Sequence, residues 1–265
     1  MPRFQKQRLK FAAISYDSQG ILKFFSDLHK IDYPMLADPD SEIIRAYGVL
    51  NGEATGMQKG FARPGYFFID PNGVIREKFF EAKYRERLTG NSLLSKLFPE
   101  LGEEVVDRIE APHLQIALEQ SDRAGVPGAR ITLAAEIHLP QDVHVYAPGA
   151  EGYQPIRLVL DETKEMEFKP AVYPPSKILY LPAIKEKVPV LEGTFRINQD
   201  VKVSSAAEFW GSLGKEGRSL TISGKLEYQA CDKTICYLPT SVALKWQIQV
   251  FPLDRTRAPV EMRHK

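Results

Sequence analysis

A two-residue repeat of apolar side chains is the feature that most constrains how this chain can fold. Apolar residues occupy every second position in two long segments, Ile131–Leu139 and Val242–Val250. Because successive side chains of a strand point to opposite faces, this spacing predicts sheets with one buried and one solvated face. Shorter strand candidates, separated by turns rich in Pro and Gly, lie at 156–160, 188–197 and 220–228. Several such strands favour an all-β sandwich from about residue 113 onward.

The first hundred residues follow a different pattern, in which short apolar runs alternate with helical spacing. A buried strand is predicted at 11–15, and an antiparallel hairpin with a Pro-Asn-Gly turn is predicted at 66–80. Helices are predicted at about 17–28, 40–48 and 89–98. This order of strands and helices predicts an α/β layer.

The change of pattern near residues 110–128 predicts a domain boundary, because Pro and Gly residues interrupt both patterns there. The length of 265 residues also exceeds the roughly 150 residues of an average domain. We therefore predict an α/β domain at 1–112, a β-sandwich at 113–252 and a loose tail at 253–265.

Charge and composition exclude several classes of function. The 35 basic and 34 acidic side chains leave a net charge of +1, which does not provide the basic surface that nucleic acids require. No apolar run approaches the ~18 residues of a membrane-spanning helix. The sequence lacks glycine-rich nucleotide motifs and a set of four clustered zinc ligands. We therefore expect no metal, flavin or nicotinamide cofactor, no nucleic-acid partner and no membrane span in this chain.

Cys231 and Cys236 are the two cysteines of the chain and dominate its functional interpretation. They flank four residues, Asp232 to Ile235, between two strand candidates. If these four residues form a hairpin loop, the facing cysteines have Cβ atoms ~4.5–5.5 Å apart. That distance is close to the ~3.5–4.5 Å of a disulfide, so a bond would need only modest local adjustment.

The residues alone leave two interpretations of such a bond open. Closing a loop of roughly six residues stabilises a fold by about 2 kcal/mol, which is little for a sandwich of over a hundred residues. That favours a bond that opens and closes by thiolate exchange, and the charge of Lys233 favours a thiolate beside it. The other interpretation is an inert hairpin disulfide or two unrelated thiols.

Residues from about 113 to 250 resemble the family of the N-terminal domain of the thiol:disulfide interchange protein DsbD. The resemblance rests on the segments Tyr228-Gln-Ala-Cys231, Cys236-Tyr-Leu-Pro239 and Asp142-Val-His-Val-Tyr-Ala-Pro-Gly149. It implies an immunoglobulin-like fold and an active disulfide between the two cysteines. It also implies that Cys236 forms the mixed disulfide with a partner and that Cys231 resolves it.

The same resemblance indicates which residues surround the two sulfurs. Tyr228, Tyr237 and His144 lie within or beside the matching segments. Tyr173 begins a Tyr-Pro-Pro-Ser-Lys stretch at about the place where the family has a cap loop over its thiols. An ordinary proline turn is the alternative interpretation of that stretch.

Residues 11 to about 98 resemble the thioredoxin-like redoxins of the alkyl hydroperoxide reductase and thiol-specific antioxidant family. The similar segments lie at 13–17, 36–40, 46–49 and 63–75. The resemblance implies a thioredoxin-like fold in which Pro64 has a cis peptide bond beside the active site. It also implies that Arg63 polarises a bound thiol or peroxide, with a structural arginine as the alternative.

This half of the chain has no cysteine, whereas the redoxin family has its nucleophile at the start of a helix before the strand at 11–15. We expect that helix start to precede Met1, so that the sequence is a fragment or has a misplaced start; a degenerate scaffold domain is the alternative. The first ten residues lack the apolar core of a signal peptide, while the DsbD resemblance implies a periplasmic or other extracytoplasmic location.

The expected function is thiol–disulfide oxidoreduction, with a thioredoxin-like or other dithiol protein as the electron partner. The first alternative is an antioxidant peroxidase whose catalytic cysteine lies outside this sequence. The second is a non-catalytic binding module in which the disulfide is structural.

Overall fold

The computed structural model of the chain describes residues 2–53, 55–56, 60–81, 86–101, 104–181, 185–254 and 256–262. Two compact units make up the chain, one of residues 1–87 and 253–265 and the other of residues 88–252. In the predicted tail, a 3-10 turn spans Val260–Met262, while residues 255 and 263–265 lie outside the described residues.

The first unit alternates helices and strands, as the sequence predicts. Its described helices are α1 (Pro2–Lys6), α2 (Gln19–His29) and α3 (Glu42–Ala46). Its described strands form a parallel pair and an antiparallel hairpin, namely β1 (Ala13–Ser15) with β2 (Met35–Ala37), and β3 (Gly65–Ile69) with β4 (Ile75–Phe80). The α/β character of this part and its predicted elements are confirmed, each within a few residues of the expected bounds.

The second unit consists mainly of sheet. After β5 (Arg87–Leu88), where the chain passes between the units, and α4 (Gly90–Leu97), its elements are β6 (Glu104–Ala111), β7 (Leu114–Gln120), β8 (Ala124–Gly125), β9 (Ala129–His138), β10 (His144–Tyr146), β11 (Arg157–Leu160), β12 (Met166–Phe168), β13 (Lys177–Leu181), β14 (Glu186–Glu192), β15 (Thr194–Val203), α5 (Ala207–Ser212), β16 (Arg218–Tyr228), β17 (Ala230–Cys231) and β18 (Thr240–Val250). One sheet has the strand order β12-β15-β9-β7-β6, a second β11-β16-β18-β8, and a third β13-β14-β10-β17.

The first two of these sheets share one hydrophobic core and therefore form a sandwich. Leu133 and Ile137 of β9 belong to the same apolar cluster as Leu244 and Trp246 of β18, and all four are at most 1% exposed. Two sheets that bury their apolar faces against each other are the stable arrangement for such strands. The predicted all-β sandwich is confirmed at this level.

The predicted alternation holds in β18 and only partly in β9. In β18, Leu244 and Trp246 are buried and Lys245 between them is exposed, as expected. In β9 the expectation of a solvated second face is wrong at Thr132 and Ala134, which are both buried. The cause is helix α4, which packs against this strand.

Helix α4 is also the reason why the compact units divide earlier than the sequence pattern does. Ser92 of this helix is buried, and its hydroxyl accepts a hydrogen bond from the backbone N–H of Thr132 at 3.0 Å. The helix therefore belongs to the second unit, which begins at Leu88, whereas the pattern of the sequence changes near residue 112.

The single strand predicted at 188–197 is wrong, because the structure divides it at Gly193. Gly193 has a φ of 67°, a left-handed conformation that favours glycine. Strand β14 ends before it and belongs to the third sheet, while β15 begins after it and belongs to the first. One positive φ thus sends the chain from one sheet into another.

We expect Leu244→Ala to lower the free energy of unfolding of the second unit by about 2–5 kcal/mol, because it leaves a cavity in the shared core. Lys245→Ala, one residue further along the same strand, should change it by no more than about 0.5 kcal/mol. Urea unfolding followed by tryptophan fluorescence reports on this unit, because both tryptophans, Trp210 and Trp246, lie in it. Equal losses in the two variants would contradict the assignment of faces.

Candidate functional site

Cys231 and Cys236 face each other across a tight hairpin and form a disulfide. The backbone N–H of Asp232 donates to the carbonyl of Ile235 at 2.9 Å, and that of Tyr237 donates across the hairpin at 2.9 Å. Between these two bonds the cysteines form a non-hydrogen-bonded pair, the register in which facing side chains are closest. Their Cα atoms are 4.0 Å apart. The four-residue loop and the pairing of the cysteines are therefore as predicted.

The two halves of this disulfide differ in their access to solvent. Cys231 is 1% exposed, whereas Cys236 belongs to the exposed residues of the loop. Ile235 and Leu238, on either side of the Cys236–Tyr237 pair, are 55% and 85% exposed. One cysteine of the pair is therefore exposed beside two exposed apolar side chains, while the other lies inside the fold.

Strand β10 lies directly beside the disulfide and contacts both of its sulfurs. It pairs with β17 so that His144 is directly opposite Cys231. The hydroxyl of Tyr146, two residues further along β10, lies 3.2 Å from the Sγ atoms of both Cys231 and Cys236. Disulfide sulfurs have no hydrogen, so the phenol is the donor to both. Tyr146 and Cys231 also belong to a small apolar cluster with Val188 and Val190, separate from the main core.

Sequence reasoning missed Tyr146 as a site residue, although it lies in a segment that resembles DsbD. The signal was present, because His144 and Tyr146 are two residues apart on one strand and therefore share a face. Burial raises the pKa of Tyr146, and the carboxylate of Glu186 raises it further. The phenol consequently keeps its proton and remains a donor at neutral pH.

His144 lies on the same strand as Tyr146, directly opposite Cys231. It is 7% exposed, and its buried Nε2 atom has no hydrogen-bond partner within the described residues. Burial lowers the pKa of His144, although Glu192 and Asp232 act in the opposite direction. The imidazole is therefore neutral at neutral pH.

Asp232 organises the loop between the cysteines. Its Oδ1 accepts hydrogen bonds from the backbone N–H groups of Thr234 and Ile235 at 2.7 and 2.8 Å, and its Oδ2 accepts one from the Tyr237 hydroxyl at 2.7 Å. The bond from Ile235 first, and those from Tyr237 and Thr234 next, hold the pKa of Asp232 well below its usual range. The loop thus closes around an ionised carboxylate.

Tyr228 and Tyr237, two of the three predicted tyrosines, have different surroundings. Tyr237 belongs to the loop, where its bond to Asp232 raises its own pKa and its ring stacks on His113 with centroids 3.6 Å apart. Tyr228 is buried in the main core, and its hydroxyl donates to the carbonyl of Pro112 at 2.7 Å. Burial raises the pKa of Tyr228 to about 12. Tyr228 therefore supports the strand that leads to the site, while Tyr237 shapes the loop itself.

Tyr173 lies at the start of the predicted cap segment and packs against the main core. Its hydroxyl accepts a hydrogen bond from the backbone N–H of Leu158 in β11 at 3.0 Å. This contact attaches the segment that leads to β13 to the sandwich.

Arg63 and Pro64 lie in the first unit, immediately before β3. The expectation of a cis bond at Pro64 is wrong, because the peptide bonds among the described residues are all trans. The Arg63 N–H donates to the Val49 carbonyl at 2.7 Å and the Pro64 carbonyl accepts from the Glu81 N–H at 3.2 Å. These bonds hold an extended segment in which the trans isomer, favoured by about 0.5–1 kcal/mol, needs no compensation.

In the part of the chain that the structure describes, no group of three or more His, Cys, Asp or Glu side chains is arranged to hold a metal ion. None of the described helices has the length and apolarity to cross a membrane.

Two family models match different parts of the chain. Residues 1–78 match the AhpC/TSA family, and residues 115–247 match the family described as thiol:disulfide interchange protein DsbD, N-terminal. Among curated relatives, alkyl hydroperoxide reductase C of Staphylococcus aureus is 37% identical over 76 residues, or 27% of this chain. The chain spans 38% of the length of that relative.

Two solved structures are similar to this chain at low sequence identity. The N-terminal periplasmic domain of ScsB from Proteus mirabilis is 14% identical, with 52% of this chain and 49% of that chain covered at a TM-score of 0.37. The reduced N-terminal domain of DsbD from Neisseria meningitidis is 10% identical, with 44% of this chain and 77% of that chain covered at a TM-score of 0.30.

The DsbD match includes both cysteines of the disulfide and spans just over half of the 265 residues. The chain therefore belongs to the family of the N-terminal part of the thiol:disulfide interchange protein DsbD.

Proposed function

We propose that this protein is a thiol–disulfide oxidoreductase that passes reducing equivalents through Cys231 and Cys236. The observation that supports this most directly is the unequal exposure of the two cysteines, one at a loop tip and one inside the fold. An incoming thiolate can reach Cys236 and not Cys231. The order in which bonds form and break follows from that difference.

Reduction begins when a thiolate of a partner dithiol attacks the Sγ atom of Cys236. A bond forms between the partner and Cys236, the Cys231–Cys236 bond breaks, and Cys231 leaves as a thiolate that takes up a proton. The second thiolate of the partner then attacks the partner's own sulfur and releases Cys236. The partner is oxidised to a disulfide, and its two electrons now reside on the two cysteines.

Delivery of these electrons is the same chemistry in reverse. The Cys236 thiolate attacks the disulfide of an oxidised acceptor and forms a mixed disulfide with it. Cys231 then attacks Cys236, restores the intramolecular bond and releases the acceptor in its reduced form. Cys236 is thus the exchanging cysteine and Cys231 the resolving one.

Tyr146 supports this exchange because its hydroxyl already lies within hydrogen-bond distance of both sulfurs. A hydrogen bond to a charged group is stronger than one to a neutral group. The phenol therefore stabilises the Cys231 thiolate as it leaves more than it stabilises the intact disulfide, and the barrier to cleavage falls.

The size of the loop argues against a purely structural disulfide. Closing roughly six residues contributes about 2 kcal/mol, whereas the sandwich buries a continuous core between two sheets. If the protein fails to exchange disulfides with a dithiol protein, the alternative of a binding module with a structural disulfide would be supported.

The match of residues 1–78 to the AhpC/TSA family favours a second candidate, an antioxidant enzyme. In it, a redoxin cysteine reduces peroxide and the dithiol of the sandwich recycles that cysteine. Both cysteines of this sequence lie in the second unit, so the peroxide-reducing cysteine would have to come from outside it.

Several finer features belong to the same proposal and stay predictions. They are an immunoglobulin-like topology of the sandwich, a thioredoxin-like fold and redoxin identity of residues 1–112, a thioredoxin-like electron partner and an extracytoplasmic location. Tyr228, Tyr237, His144 and Tyr173 are proposed as surroundings of the two cysteines, whereas Arg63 and Pro64 are proposed as site residues of the first unit by itself.

Single cysteine variants test the assignment of roles. In the Cys231→Ser variant the remaining thiol is exposed, and in Cys236→Ser it is buried. We expect iodoacetamide to alkylate the first at least about tenfold faster than the second, because thiol reactivity requires access. Mass spectrometry of timed samples measures both rates, and a faster reaction of Cys231 would reverse the assignment.

The same variants test the function. Cys231→Ser should form a stable mixed disulfide with a thioredoxin variant whose second active-site cysteine is replaced by serine and whose first carries a nitrothiobenzoate group. Cys236 displaces that group, and no thiol is then left in either protein to resolve the new bond. Cys236→Ser should not form this mixed disulfide. The double serine variant is the control for non-covalent association. A reduction potential of the wild-type disulfide below about −300 mV, together with no exchange, would support a structural disulfide instead.

Tyr146→Phe should slow reduction of the disulfide by dithiothreitol about tenfold, the value of one hydrogen bond to a charged group. Tyr153→Phe is the matched control, because the Tyr153 ring stacks on Tyr146 with centroids 4.2 Å apart and its hydroxyl bonds to Glu186. The control should reduce at the wild-type rate. Equal rates in all three proteins would remove Tyr146 from the mechanism.

The ionised carboxylate of Asp232 should stabilise the loop between the cysteines at every pH above its lowered pKa. Its pKa in the folded protein lies below the value of about 3.9 in an unfolded chain, so its hydrogen bonds stabilise the loop above that pH. The contribution is lost as the pH falls through the folded pKa. Amide hydrogen exchange by NMR at pH 5 should be faster for Thr234 and Ile235 in Asp232→Ala, and unchanged in the exposed control Asp161→Ala. Unchanged exchange in Asp232→Ala would contradict this role.

A further inference from the structure

His144 is a buried group that the exchange reaction above does not use. Its Nε2 atom is buried and has no hydrogen-bond partner among the residues that the structure describes. Burying a polar atom without a partner costs free energy, so such atoms are rare in native folds. An unpaired imidazole nitrogen beside a redox disulfide therefore needs a physical explanation.

Two observations locate this imidazole with the sulfurs. The β10–β17 register puts His144 directly opposite Cys231, and opposed residues share a face with Cβ atoms about 4.5–5.5 Å apart. The ring also lies edge-to-face against Tyr146, with centroids 5.9 Å apart, and the hydroxyl of Tyr146 contacts both sulfurs. The strand register and the ring contact therefore both place His144 next to Cys231 and Tyr146.

The charges near the ring leave it neutral and able to accept a proton. The titratable and charged groups of the elements around it are Tyr146 on its own strand, Glu192 on β14 with its ion-pair partner Lys177 on β13, Asp232 in the loop with Tyr237, and Asp142 with Lys233. Glu192 and Asp232 favour the imidazolium, but burial outweighs them. The unpaired nitrogen thus belongs to a side chain directly opposite the cysteine that becomes a thiol when the disulfide is reduced.

We propose that His144 accepts the proton of the Cys231 thiol in the reduced protein and so prepares Cys231 to resolve mixed disulfides at Cys236. This inference rests on the proposed exchange function. The Cys231 S–H bond breaks and its proton moves to the imidazole nitrogen. The thiolate then attacks Cys236, the intramolecular disulfide forms, and the partner's sulfur leaves with the electron pair and takes up the proton.

The test follows the reaction of the fully reduced protein with 5,5′-dithiobis(2-nitrobenzoate) by stopped-flow absorbance. The first nitrothiobenzoate is released when Cys236 attacks the reagent, and the second when Cys231 displaces it from Cys236. In His144→Gln we expect the second phase at pH 7 to be at least about tenfold slower, since a general base contributes at least that much. The first phase should stay within about twofold of the wild type, because Cys236 is exposed.

The pH profile separates proton transfer from a structural effect. A thiol ionises without an acceptor once the pH exceeds its pKa, so the second phases of the variant and the wild type should converge as the pH rises. His138→Gln is the matched control, because His138 is also a strand histidine of the second unit but is exposed and bonded to Thr194 at 2.7 Å. Both of its phases should match the wild type at every pH.

An unchanged second phase in His144→Gln, or a loss that persists at high pH, would overturn the inference. Failure of the proposed function has a different signature, because the wild type would then react with the small reagent but exchange with no dithiol protein. If His144→Gln does not fold, nitrogen NMR of the wild-type histidines replaces it. The Nε2 resonance of His144 should shift on reduction while that of His138 does not, and no shift at His144 would overturn the inference.

Discussion

The pairing of β17 with β10 is the interaction on which the redox site depends. β10 has two buried faces, since Val145 lies in the sandwich core while Tyr146 lies in the separate cluster beside the disulfide. A strand packed on both faces has little freedom to move. It therefore holds its hydroxyl and imidazole groups in place, and the short β17 needs only to dock against it to bring Cys231 under Tyr146.

The two cysteines of the disulfide lie in opposite environments, so that their sulfurs are not equivalent toward an incoming thiolate. Cys231 lies in an apolar cluster, while Cys236 follows a loop that is closed by the ionised carboxylate of Asp232. The apolar side excludes water and competing nucleophiles, whereas the polar side gives the loop a defined shape in solvent. In the proposed exchange, the exposed Ile235 and Leu238 beside Cys236 would give a partner protein an apolar surface that excludes water from the Cys236 sulfur.

Local patterns predicted what depends on neighbouring residues. The alternation in β18, the hairpin of β3 and β4 and the loop between the cysteines all follow from spacing of a few residues. Two errors arose where distant segments decide, since α4 covers part of β9 and the backbone partners of Arg63 and Pro64 hold a trans bond. A third arose at one residue, since the positive φ of Gly193 sends the chain into a second sheet. Alternation puts Tyr146 on the same face as His144, but its contact with the two sulfurs depends on the pairing of distant strands.

By itself, the sequence determined that two cysteines separated by four residues between strands can meet, because hairpin geometry is a local property. The tertiary structure alone decided which sulfur is accessible and what touches it. Tyr146 is 85 and 90 residues from the two cysteines, so its contact with them depends on how separate strands pair. Burial of Cys231 and of the His144 nitrogen likewise depends on packing between distant segments, which the spacing of residues along the chain does not predict.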